Sequence, residues 1–435
     1  MAPSATAEAL PTLETSHAHP AFPSKSTVNA SVLHAPRDVR LETRNIEEPS
    51  VGELQIQIKS TGICGSDVSY YKKFANGDLC ACAPLSLGHE SSGIVVGIGP
   101  AVTGFDIGDR VALEVGIPCG QCTICRKGRV PYKSGSIILR FGATSTSSPP
   151  SPLPLLALGA LLIYELRIPD NVSFDAAALL EPLSVAIHSL NRAAPTPGST
   201  ALVIGAGTVG LLVAAMARQS GCTVVTIIDV DAGRVGYALS KGFATHGYVV
   251  PKPLHASASS FSIHASGTST PSSDGMMTPL SSYSGISDRL DGAKSVASDV
   301  LAVSQPDLQI EEDEDEGVDI SFECTGKEPC MQTALYATKP GGKVIMVGMG
   351  TPIQTVPLSA AHLREVDILG IFRYANTYPT GIRLLAGKGP MRIPSLDDMV
   401  THKFKGLAEA KSAFELAGRT VDDEGKLVLK VVIEA

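Results

Sequence analysis

Ala201-Leu202-Val203-Ile204-Gly205-Ala206-Gly207-Thr208-Val209-Gly210 is the stretch that decides how the second half of this chain folds. An apolar run suited to a buried strand leads into G-x-G-x-x-G, and an alanine-rich helical stretch, Leu211 to Gln219, follows. A second apolar run, Thr223 to Ile228, ends at Asp229, about 20 residues further on. The glycine triplet is weak by itself; strand, turn, helix, strand and terminal acid together form the dinucleotide fingerprint. The glycines let the turn close and let a pyrophosphate approach the helix start, where unpaired N–H groups and the dipole favour anions. Asp229 would accept hydrogen bonds from both ribose hydroxyls, and a 2′-phosphate there would meet a carboxylate. NAD is therefore expected over NADP, a preference that Arg234 close by blurs.

Downstream, Val318 to Glu323 and Lys343 to Val347 read as further strands separated by helical sequence, which predicts a parallel, doubly wound α/β sheet. Before them, about 253–316 is a low-complexity insertion: Ser/Thr-rich at first, acidic from Glu311 to Glu316, with a helix expected at Ala293 to Val303. A chain of 435 residues exceeds one core's usual reach, and 44% hydrophobic residues supply two. A net charge of -8 argues against nucleic acid or a membrane surface as partner and leaves a small molecule. Residues 1–27 have the composition of a disordered tail, without the apolar centre of a secretory signal. Nine cysteines in so long a chain do not read as a disulfide framework, so a reducing, cytoplasmic setting is expected.

Upstream, Val39 to Thr43 and the alternating Glu53 to Lys59 read as short strands that lead into Gly62-Ile63-Cys64-Gly65-Ser66-Asp67. Gly88-His89-Glu90 follows. Cys64, His89 and Glu90 are a thiolate, an imidazole and a carboxylate, the donor set of a zinc ion with one position left open for substrate. Tyr70 is either a packing aromatic or a residue facing the substrate. Cys119, Cys122 and Cys125 have the spacing of a zinc knuckle that lacks an evident fourth donor.

The run from Gly88 through Gly93, Gly99, Val102 and Gly108-Asp109-Arg110-Val111, with Cys64 upstream, resembles the zinc signature of the medium-chain alcohol dehydrogenase family. Leu363 to Pro379, with Arg373 and Tyr374, is similar to its polyol branch, the sorbitol, xylitol and arabinitol dehydrogenases. The resemblance implies a GroES-like, mostly β catalytic domain at 28–184 and 370–435 and a Rossmann NAD-binding domain at 185–369. It implies one catalytic zinc per chain and oxidation of a sugar alcohol to a ketose, with Ser66 passing the hydroxyl proton towards solvent. It also implies a homo-oligomer, usually a tetramer. Arg373 and Tyr374 would then reach the active site, with a salt bridge inside the sheet as the alternative for Arg373. Glu181, before a proline in Leu180-Glu181-Pro182, would reach the zinc directly or through water; otherwise it is an ordinary helix acid. The pattern breaks in two places. Lys133 stands where the family's fourth knuckle cysteine falls, and the block 129–167 aligns with nothing in the family and reads as the product of a frame-shifted or mis-spliced exon. A non-catalytic nucleotide-binding protein, its catalytic domain unseated by that block, is the rival expectation.

Overall fold

The computed structural model describes residues 26–114, 123, 159–162, 166–251, 280–304, 317–389 and 392–435. The knuckle cysteines, Lys133 and nearly all of the unaligned block lie outside these residues, as do residues 1–25 of the expected tail and both ends of the insertion, up to 279 and from 305 to 316.

The fingerprint strand Thr200–Ile204 sits inside a six-stranded, wholly parallel sheet. Its order is His246–Val249, Val224–Asp229, Thr200–Ile204, Val318–Glu323, Thr338–Met346 and Asp367–Gly370. Strands of a parallel sheet are covered on both faces, which is why they read as continuous apolar runs. Helices Thr208–Gln219 and Leu180–Ala193 cover one face through Leu211, Val213 and Leu183, and Glu328–Ala337 contributes Met331 and Leu335 to the other. The chain reverses its direction of travel across the sheet between Thr200–Ile204 and Val318–Glu323, so a crevice opens there at the strands' carboxyl ends.

The expected helix at Ala293 to Val303 is longer, Leu280–Ser304. It is no solvated excursion, because Ala297 and Val300 are buried in the core beside Met331 and Leu335. Small and branched residues one helical turn apart give that surface the fit that composition alone hid.

The second sheet is mixed and built around Glu53–Gly62. Its order is Val400–Lys405, Lys430–Glu434, Glu53–Gly62, Glu90–Ile98 and Arg110–Leu113. The chain's last segment therefore folds back onto its first domain as expected, although the strand expected from Lys426 begins at Lys430. From the unaligned block, Gly159–Leu162 pairs antiparallel with Glu53–Ile56. Arg167 bridges Val111. Part of that block thus pairs into the second sheet, which speaks against reading the domain as unseated. A separate hairpin, Ser26–Ala35 with Asp38–Ile46, precedes both sheets.

Candidate functional site

Antiparallel pairing explains why residues far apart in sequence meet. Glu53–Gly62 and Glu90–Ile98 are in register with Gly62 opposite Glu90, so the end of one strand lies beside the start of the next. Cys64, just past the first, and His89, just before the second, arrive at one corner with Glu90. One donor atom from each of the three lies within 4.8 Å of the others. Gly62 is required here for space: a Cβ on it would stand 2.3 Å from Glu90 Oε2.

Charge is arranged around this trio in two layers. Asp67, 3% exposed, accepts the backbone N–H of Cys64 at 3.0 Å and of Gly88 at 3.1 Å, and its Oδ1 lies 3.2 Å from His89 Nδ1. Burial works to raise the Asp67 pKa, but His89 and the two N–H groups hold it below the usual value. Burial works against a charged His89 too, yet Asp67 and Cys64 outweigh it and carry its pKa well above that of a free imidazole. With Nδ1 engaged, the ring's other nitrogen is the one free to bind a metal.

On the far side, Lys430 Nζ lies 2.6 Å from Glu90 Oε2 and donates to Ile63 O at 3.1 Å. Burial opposes the Lys430 charge, but Glu90 and Cys64 raise its pKa regardless. Glu90 is wholly buried, and among the described residues its other oxygen, Oε1, has no hydrogen-bond partner. An unpaired buried acceptor is costly. A cation held between it, the Cys64 sulfur and the His89 nitrogen would satisfy it, so the donor set fits zinc.

Glu181 opens the helix Leu180–Ala193 and is 5% exposed. Burial above all, with Glu90 adding, pushes its pKa up to about 7, while His89, Arg373 and Lys430 pull the other way. It stands in the field of the corner and is not one of the three converging donors. Tyr70, on the Gly65–Lys73 helix that Cys64 caps, is half-buried. Burial raises its pKa and Arg373 opposes the rise. Arg373 adopts a left-handed φ of 50° and acts on both Tyr70 and Glu181. Among the described residues it makes no salt bridge, so the alternative of an ion pair within the sheet is not what holds it.

Ser66 lies half-buried in the first turn of the Cys64 helix. Tyr374 follows Arg373 directly. It is 5% exposed, its ring 5.3 Å from that of Tyr378, whose hydroxyl donates to Leu113 O at 2.8 Å. Its own hydroxyl is buried and, among the described residues, has no hydrogen-bond partner, while Glu181 and Arg373 act on it. Lys430 and Asp67 were missed as functional residues. A lone lysine within the apolar Leu427 to Ile433 was the available signal, because a buried cation needs a partner.

At the parallel sheet's crevice, Gly205 has φ of +103°, and a Cβ on Gly210 would lie 1.8 Å from Gly205 O, so the turn tolerates neither side chain. Gly207 caps the helix Thr208–Gln219, with Thr208 and Val209 in its first turn. A Cβ on Gly207 would meet nothing nearer than Arg234 Nη1 at 4.0 Å, which leaves the helix start open. Asp229 accepts Ala206 N–H at 2.7 Å and Asp231 N–H at 3.0 Å through different oxygens, each with a lone pair to spare. Open turn, helix N-terminus and poised carboxylate fit a dinucleotide.

Residues 50–147 match the family model of the alcohol dehydrogenase GroES-like domain, and 283–387 match that of the zinc-binding dehydrogenase. The sorbitol dehydrogenase of Gallus gallus is 37% identical over 407 residues, covering 92% of this chain and 96% of that protein. That of Homo sapiens is 35% identical over 393 residues, covering 88% and 91%. Among solved structures, L-idonate 5-dehydrogenase from Escherichia coli superposes with a TM-score of 0.68 at 21% identity, covering 94% of this chain and 99% of that one. For 2R,3R-butanediol dehydrogenase from Bacillus subtilis the TM-score is 0.64 at 21% identity, with the same coverage. At such identities the structures share the fold.

Proposed function

We infer the chemistry from one premise: the chain belongs to the zinc-dependent medium-chain alcohol dehydrogenase family, in its polyol branch. It is a zinc-dependent polyol dehydrogenase that oxidises a secondary hydroxyl of a sugar alcohol, such as xylitol, sorbitol or arabinitol, to a ketose and reduces NAD. The observation that carries this reading is the convergence of Cys64, His89 and Glu90 with one Glu90 oxygen buried and unpaired.

When bound there, zinc supplies a Lewis acid that lowers the pKa of a substrate hydroxyl. The chain's own residues do the rest. Asp67 fixes the His89 ring, and Lys430 pairs with Glu90 in a dry corner. Tyr70 and Arg373 offer hydrogen bonds to the neighbouring hydroxyls of a polyol, and Ser66 passes the reacting hydroxyl's proton towards solvent. Oxidation takes a hydride from the carbinol carbon to the nicotinamide and releases that proton, so one alcohol and one NAD give one ketone, one NADH and one H⁺. Glu181, held close to neutral pKa beside the corner, adds a carboxylate within the substrate's field. Gly205, Gly207, Gly210 and the Thr208–Val209 helix start cradle the pyrophosphate, and Asp229 takes the ribose.

A cytoplasmic homotetramer completes the proposal. The six cysteines among the described residues are all free, which suits a reducing compartment. No helix among those residues is long and apolar enough to cross a membrane. Purified protein is assayed for NAD reduction with xylitol, sorbitol and arabinitol in turn. Turnover of at least one is expected, and NADH binding without turnover of any would favour the non-catalytic alternative. Light scattering on the eluting protein tests the tetramer.

A further inference from the structure

One short segment, Val428 to Val431, runs between the cofactor cradle and the metal corner. Arg234 reaches from the helix after Asp229 to donate, through Nη2, to Val428 O at 3.1 Å, across 194 residues of sequence. Its Nη1 stands on the Gly207 turn. Its Nε is buried and, among the described residues, has no hydrogen-bond partner. Two residues beyond Val428, Lys430 carries the ammonium that neutralises Glu90. One residue further, Val431 O accepts the N–H of Ile63, the neighbour of Cys64. The segment between is stiff: Val428 N–H bonds Thr420 O at 2.8 Å, Leu429 N–H bonds Thr401 Oγ1 at 3.1 Å, and Val432 pairs with Gly62.

We propose that Arg234 couples occupancy of the dinucleotide cradle to retention of the metal at Cys64, His89 and Glu90. The proposal rests on the cofactor reading above. An anionic dinucleotide at the Gly207 turn supplies an acceptor for Nη1, the guanidinium nitrogen that stands at that turn. A planar guanidinium caught between that acceptor and Val428 O loses its freedom. The strand carrying Lys430 is then pinned from the cofactor side, and Glu90, whose second oxygen faces the metal, is held with it. This is a positioning role: Arg234 touches neither the metal nor its donors. Because coupling between two ligands is reciprocal, metal removal must weaken dinucleotide binding by the same factor.

The test measures zinc release to a chromogenic chelator from the wild type, Arg234→Ala and Asp229→Ala, with and without NADH. Each protein is saturated according to its own titration, read from nicotinamide fluorescence, which no tryptophan of this chain obscures. NADH should slow zinc release about tenfold in the wild type, within the usual range of such couplings. Asp229→Ala, which lowers affinity but leaves the Val428 link, should be slowed as much once saturated. Arg234→Ala should release zinc at one rate with or without NADH. If Arg234→Ala does not fold, Arg234→Lys, a single-pronged donor, is read in the same way. Equal slowing in the Arg234 variant, or none in the wild type, overturns the proposal. A wild type that does not bind NADH overturns it together with the cofactor reading. Failure to turn over any polyol, with zinc release still slowed by NADH, overturns the substrate reading alone.

Discussion

The two binding corners are made by opposite strategies. The cofactor cradle is local: its longest internal bond, Asp229 to Ala206, spans 23 residues, and strand, turn, helix and acid follow one another along the chain. The metal corner is dispersed, because its donors lie on the ends of two antiparallel strands and the cation that balances them comes from 340 residues away. A local site fails by losing its turn, and a dispersed one fails by losing a partner that no neighbouring sequence announces.

The largest effect should therefore come from the remote partner. Lys430→Met removes the cation from a buried pair, and breaking such a pair by one member costs about 3–5 kcal/mol. Denaturant unfolding should show that loss, and metal analysis after dialysis should show depleted zinc. Glu90→Gln in the same background should recover part of the stability and none of the zinc. A Lys430→Met protein as stable and as zinc-rich as the wild type would erase the contrast between the corners. Next in size is Gly210→Ala, whose methyl would press on Gly205 O; overpacking of this kind costs about 1–3 kcal/mol. It should abolish NADH binding while the zinc content stays whole, since nothing of the metal corner touches that turn.

Asp229→Ala should lower NAD affinity and relax discrimination against NADP by about 1–3 kcal/mol, the worth of two charge-assisted hydrogen bonds. Steady-state constants for both cofactors measure it, and equal use of the two by the unmutated enzyme would refute the assignment. The smallest expected effect is none: Cys122→Ser should keep its single zinc, whereas Cys64→Ser should lose both metal and activity. Two zincs in the wild type, one lost with Cys122→Ser, would mean that the three-cysteine loop finds a fourth donor.

The same contrast governs what could be read before any coordinates. Gly205 to Gly210 and Asp229 were legible because their chemistry is contained in one continuous pattern. Cys64, His89 and Glu90 were legible because the run from Gly88 to Val111, with Cys64 upstream, resembles a family's zinc signature; by themselves a lone cysteine and a His-Glu pair say little. Lys430 was not, since its meaning depends on a strand pairing that places it opposite Glu90. Asp67 was quoted in the motif and given no role, because its three partners become neighbours only when Gly88 closes over the helix start. The helix Leu280–Ser304 was half hidden by its serine content, and Gly159–Leu162 by the unfamiliar sequence around it. In both cases backbone pairing or small-residue packing outweighed composition.

The placement of Lys430–Glu434 beside Glu53–Gly62 also sets an order of events during synthesis. Domains form as they emerge from the ribosome, amino-terminal parts first. Here the amino-terminal domain cannot finish first. Its metal corner waits for a strand encoded after the whole cofactor domain, and until then Glu90 has no ammonium to face. A nascent chain that already exposes Cys64, His89 and Glu90 therefore lacks one wall of the corner until its last residues are made.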